Sequence, residues 1–163
     1  MHAKDAIRQT LDMSERIVNA YVGDLDDSDL LVRPVEGMNH IAWQLGHLIH
    51  TERTLVEGIK PGSSPPMPEG FEGNHSRENS TSDDPNQFLT KDAYLELMNA
   101  QRVATKDVLD SLPDEDLDAP SPERFRKMVP TVGAACMLAG THYIMHVGQF
   151  VAVRRKRGKP IAI

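Results

Sequence analysis

Apolar residues along this chain recur at intervals of three and four rather than in alternation, which is the signature of helices and not of strands. From Ala3 to Val22 the set Ile7, Leu11, Met13, Ile17, Val18 and Tyr21 predicts a first helix. An Asp-rich connection, GDLDDSDLLVRPVEG (23–37), follows and closes on Pro and Gly turn signals. Asn39 is the expected N-cap of a second helix over about 40–58, which Gly58 and Pro61 end. Residues 59–89 are polar and rich in Pro, Gly, Ser and Asn. A connection this long without secondary structure is unusual in a compact domain, so it is either a lid or site wall or a poorly ordered segment. Thr90 is the expected N-cap of a third helix that runs to Leu112 with Ala93, Leu97, Ala100, Ala104, Val108 and Leu112 as its apolar stripe. A second loop, 113–130, holds four prolines, and a last helix runs from near Thr131 to near Gly158 and Pro160. The prediction is one all-α domain over residues 1–163, a four-helix bundle with a long crossover loop between helices 2 and 3.

Composition narrows the class without changing the fold. A 163-residue chain with 39% hydrophobic and 26% charged residues is a soluble globular protein in expectation. A net charge of −6 argues against nucleic acid as a partner. The basic run RRKRGK (154–159) falls where the last helix ends, and cations there suit the helix dipole as a solvated terminus. No apolar run reaches the roughly 20 residues of a membrane span, and MHAKDAIRQT carries no signal-peptide core. With a single cysteine, Cys136, no intrachain disulfide can form, and a cytoplasmic protein is expected. Cys136 reads as a small core residue.

The candidate chemistry lies in the seven histidines: His2, His40, His47, His50, His75, His142 and His146. His142 and His146, four apart on the last helix, project from one face. Leu138, Met145, Gln149 and Val153 share that face and make it apolar, so it should point inward. Alone, an HxxxH pair fits either a metal site or two satisfied helix histidines. The second helix, NHIAWQLGHLIHTERTL (39–55), has Ile41, Leu45, Leu48, Ile49 and Val56 on one face and gathers Trp43, His40, His47 and His50 roughly opposite. The middles of long helices in a bundle lie at similar depth, so His47 can meet His142 and His146. Three imidazoles with open positions are the usual form of a catalytic metal site. His40 and His50 read as surface polarity. Glu52, at the centre of the apolar face, is either an ion-pair partner for an Arg of another helix or an orienting partner for a ligand histidine. Gln149 is placed to bond a ligand, a water or helix backbone. HExxH is absent, no paired Glu-x-x-His helices occur, and no phosphate loop or nucleophile elbow is present.

Leu45-Gly46-His47-Leu48 in the second helix, His142, His146, Gly148 and Gln149 in the last, and the ending Arg154, Arg155, Gly158, Lys159 and Pro160 together resemble the DinB/YfiT-like superfamily of proposed metalloenzymes, with its DinB-like domain. The resemblance covers nearly the whole chain. It implies a four-helix bundle, a divalent metal, typically nickel or zinc, on His47, His142 and His146, and a homodimer. Some relatives are transferases or isomerases that use low-molecular-weight thiols such as mycothiol or bacillithiol. The surplus histidines His40 and His50 depart from the pattern and are placed to compete with or supplement His47. Three functions follow as expectations: a metal-dependent thiol S-transferase acting on a small-molecule substrate, a metal-dependent hydrolase with Glu52 or a spare histidine as base, or a non-catalytic dimeric binding bundle.

Overall fold

A computed structural model describes residues 2–162. They are helical with no strand, and an isolated β-bridge joins Pro120 to Thr131. Six α-helices follow in order: α1 (Ala3–Val22), α2 (Asp27–Leu30), α3 (Ile41–Ile59), α4 (Phe71–Asn74), α5 (Lys91–Ser111) and α6 (Val132–Lys156). Short 3-10 turns lie at Pro85–Gln87 and Asp114–Asp118. No described helix is long and apolar enough to cross a membrane.

Each long helix starts where a side chain can take up a free backbone N–H. Thr90 Oγ1 accepts from Ala93, and Thr131 Oγ1 accepts from Ala134. At α3 the expected cap is displaced by one residue: His40, not Asn39, does the capping, its Nδ1 accepting from the Trp43 N–H at 3.1 Å. A ring nitrogen reaches the first turn as well as an amide oxygen does, and His40 is fully buried while it does so.

α1 and α3 each pack on both α5 and α6. α3 is buried nearly all round, with Ala42, Trp43 and Gln44 covered as fully as Leu45, Leu48 and Ile49. The stripe expected for α5 is rotated by one position. Tyr94, Met98, Gln101, Thr105, Val108 and Leu109 face inward, whereas Ala100 is exposed. The reason is that polar residues hold core places on α5. Arg102 and Thr105 are buried against Glu52 of α3, Gln101 is buried one turn before Thr105 and donates to Ser64, and Ser14 of α1 is buried as well. This polar layer separates two apolar clusters. One holds Leu45, Leu48, Ile49, Met98, Tyr143 and Phe150; the other holds Ile7, Leu11, Leu55, Leu109, Ala135 and Cys136. Met13, expected in the stripe of α1, is half exposed.

Both long connections are built into the structure. Residues 60–89 fold back over α3 as a wall: Trp43 Nε1 donates to the Ser76 carbonyl at 3.0 Å, His40 Nε2 to the Ser82 carbonyl at 3.0 Å, and Arg33 to the carbonyls of Ser80 and Ser82. Phe71 and His75 from this wall are buried. The basic C-terminal run is also more than a solvated helix end. Arg154 is buried, donates to the Tyr21 carbonyl at 2.9 Å and pairs with Asp24, while Arg157 pairs with Asp29, so the run clamps α6 to the α1–α2 corner.

Candidate metal centre

The apolar register of α6 places its two site histidines. Tyr143, Val147 and Phe150 point into the core, so the preceding residues His142 and His146 fall at the edge of that face, half-buried and turned toward α3. The face expected to point inward therefore lies at the boundary: Val153 is buried, but Met145 and Gln149 are exposed. On α3, Leu45 and Leu48 anchor the inward face and leave His47 on the flank nearest α6. Gly46 has a steric reason: a Cβ there would lie 1.9 Å from Cδ2 of His75, whose ring packs against the bare helix backbone.

The three imidazoles converge. Ring centroids are 5.2 Å apart for His47 and His142, 5.4 Å for His47 and His146, and 4.8 Å for His142 and His146. One ring nitrogen from each can be chosen so that all lie within 4.8 Å of one another. Trp43 stacks on His47 at 5.0 Å and 6° and fixes the plane of that ring. Gln44 fixes the third. Its Nε2 donates to the Asn39 carbonyl at 2.7 Å, which turns Oε1 toward His146 Nδ1 at 2.8 Å. The Nδ1–H of His146 is then the donor and its Nε2 carries a free lone pair.

Burial keeps this set uncharged. His142 is pushed down to about 4 by burial and by the charge of His47, and His146 to about 4 by burial and then by its two neighbours. His47 is lowered by burial first and by His50 second. At neutral pH the cluster presents three neutral nitrogen donors, the donor set that divalent zinc, nickel, copper and iron accept. No fourth His, Cys, Asp or Glu joins the group among the described residues. The residues present fit a three-histidine divalent site with open positions.

The model of the DinB superfamily matches residues 10–150 of the chain. The chain belongs to the DinB superfamily. No curated protein and no solved structure matches this DinB-superfamily chain.

The remaining histidines of this DinB-superfamily protein stand apart from the trio. His40 is buried, not a surface residue, and both its nitrogens are engaged, one by the Trp43 N–H and one by the Ser82 carbonyl. It cannot compete with His47 while so bonded. His50 lies 3.6 Å from Glu72 instead. His75 gives Nδ1–H to the Phe71 carbonyl at 2.7 Å and accepts the Tyr94 hydroxyl at 2.6 Å. Glu52 takes the ion-pair reading: its carboxylate lies 3.3 Å from Arg102 and accepts Thr105 Oγ1 at 2.6 Å. Gln149 is exposed, and open space surrounds the Gly148 Cα, so neither motif residue has a packing reason within the chain. Gln44, which sequence reasoning missed, supplies a side-chain hydrogen bond to a histidine of the trio; its place one turn before His47 on α3 is the signal that could have found it.

Two cavities open from this site. One of about 290 Å³ lies between His47 and His142 and an apolar wall of Phe125, Met128, Leu138 and Met145. The other, of about 710 Å³, adjoins it along His47, His50 and Thr51, extends to Trp43, Asn39, Arg77 and Glu78, and is far more polar.

Proposed function

We propose that this DinB-superfamily protein is a metal-dependent enzyme of the thiol S-transferase type, with His47, His142 and His146 holding a divalent ion, nickel or zinc. The observation that carries the reading is the convergence of three uncharged imidazoles at the meeting of a polar and an apolar cavity. A bound divalent ion supplies Lewis acidity, which lowers the pKa of a thiol so that the nucleophile exists at neutral pH. The chain's own residues do the rest. Trp43 and Gln44 hold the rings of His47 and His146 in place. The polar cavity suits a hydrophilic low-molecular-weight thiol, and the apolar one keeps water away from an electrophilic acceptor.

Hydrolysis is the weaker reading: of the two bases expected for it, Glu52 is out of reach, and His50, which lines both cavities, faces Glu72. Glu52 is fully buried against Arg102 and Thr105 and lines neither cavity. We further propose that residues 1–163 form one cytoplasmic domain, with α1, α3, α5 and α6 as a four-helix bundle and 60–89 as the crossover between its second and third members. The exposed Met137 and Ile144 of α6 offer apolar surface for a homodimer, which sedimentation velocity tests.

Elemental analysis of tag-free protein tests the metal. The expected result is near-stoichiometric nickel or zinc, lost in His47→Ala with helical content unchanged. Conjugation assays then test the chemistry. Fully loaded protein that turns over no biological thiol with any electrophile would remove the transferase reading and leave the binding bundle.

A further inference from the structure

The apolar compartment of about 290 Å³ carries one permanently charged side chain, Arg124, and no carboxylate. Arg124 also lines the 710 Å³ cavity and a third of about 520 Å³, so it stands where all three meet beside His50. It makes no ion pair among the described residues. Its guanidinium carbon lies 5.8 Å from the ring centroid of Phe125, in the same wall. The other charges around these cavities are largely engaged. Arg53 donates to the Pro65 carbonyl, Glu57 accepts the N–H groups of Gly62 and Ser64, and Glu72 faces His50.

An unpaired guanidinium at the rim of a mostly apolar pocket favours an anion over a neutral ligand. Arg124 is exposed, and its guanidinium offers a fork of donors that matches a carboxylate bidentately while the apolar part of the ligand lies against Phe125, Met128 and Leu138. A neutral ligand offers that guanidinium at most a weaker, uncharged acceptor. We propose that Arg124 is a specificity-determining residue: the acceptor seated in the apolar compartment is a small, otherwise apolar molecule carrying a carboxylate. This rests on the transferase reading for the word acceptor, but the carboxylate preference itself belongs to Arg124 and not to the ion.

Isothermal titration calorimetry measures occupancy without turnover, and Trp43, the chain's one tryptophan, which stacks on His47 of the same compartment, gives a second readout by fluorescence. The probes are 3-phenylpropanoate and its neutral amide, 3-phenylpropanamide, titrated into metal-loaded and chelator-stripped protein. Mercaptosuccinate and 2-mercaptoethanol form a second pair, because a carboxylate on the thiol is the other source of the same chemistry. The acid is expected to bind about two- to fivefold tighter than the amide, the size of a solvent-exposed charge pair. The preference should persist without metal, vanish in Arg124→Gln, survive in part in Arg124→Lys, and leave metal content unchanged in both. Equal binding of acid and amide, no response to either, or a preference that Arg124→Gln retains overturns the proposal. So does an Arg124-dependent preference confined to mercaptosuccinate, which would assign the carboxylate to the thiol. An Arg124-dependent preference in protein that never loads metal would uphold this inference and sink the metal reading instead.

Discussion

His47 and Glu52 stand close together on α3, and each meets polar partners from another helix, yet their surroundings are opposite. His47 is half-buried, faces two cavities, and meets imidazoles that are uncharged and hold free lone pairs. Glu52 is fully buried and faces Arg102, Thr105 and Tyr143, with no cavity beside it. Its layer is incompletely satisfied: Glu52 Oε2, Arg102 Nε and Nη1, Gln101 Oε1 and the Tyr143 hydroxyl lack a hydrogen-bond partner among the described residues. Burial pushes the Glu52 carboxyl up, and Arg102 and Thr105 pull it back only in part. Arg102 also donates to the Ala139 carbonyl at 3.2 Å and lies over the Tyr143 ring, so one side chain ties α3, α5 and α6 together. A polar group inside packed helices is therefore no sign of chemistry by itself. What separates the two regions is access: His47 and His142 line cavities and Glu52 does not.

The largest expected effect comes from breaking the Glu52 layer. Arg102→Met leaves a buried carboxylate unpaired and should cost about 3–5 kcal/mol in urea unfolding. The double variant Glu52→Leu/Arg102→Met removes both charges and should recover most of that stability, since apolar replacement of a buried pair is often neutral. Metal content should survive in the double variant. If it is lost there while the fold is intact, the two regions are one functional unit and the contrast fails.

Acid should act on the wall that leans on α3. His75 is pushed down to about 4, chiefly by burial, from an ordinary 6.5. Its unfolded form takes up a proton that the folded form refuses, so stability is full above pH 6.5 and falls as the pH drops toward 4. That difference is worth about 3 kcal/mol. Urea midpoints measured across this window in chelator-stripped protein should fall less steeply for His75→Gln than for the unaltered chain. Parallel slopes would mean that His75 already titrates normally in the fold.

His75 also marks the limit of what the sequence disclosed. Four long helices were legible from period and caps, because Thr90 and Thr131 sit where a hydroxyl must be and the prolines mark the ends. His47, His142 and His146 were legible as a group, because i, i+4 spacing fixes a shared face and mid-helix placement fixes depth. The polar layer was legible only from the side of Glu52, whose place on an apolar face pointed to an Arg of another helix; which Arg was not, since Gln101, Arg102 and Thr105 fell outside the apolar period, and this shifted the α5 stripe onto the wrong alanines. His75 and Arg124 come from connections, where no period says which residues turn inward, as His75 does, or line a cavity, as Arg124 does. Gly46 held the one local hint of a visitor at α3, and only the ring of His75 explains it.

The smallest effect, and the one that most sharpens the contrast, concerns Gln44. It is buried as deeply as Glu52, yet its bond ends on a site histidine, so it belongs to the accessible region by function and to the closed one by burial. Gln44→Met keeps the side chain's length and removes the acceptor. Without it His146 has nothing to hold the proton on Nδ1, and the ring is free to turn or to place its proton on the nitrogen that should donate. Partners of this kind typically change metal affinity by about 10- to 100-fold, or about 1.4–2.7 kcal/mol. Competition against a chromophoric chelator should show that weakening. A variant that binds metal as tightly as the unaltered protein, with its helices intact, would show that packing alone orients His146 and that the Asn39–Gln44–His146 chain serves the fold.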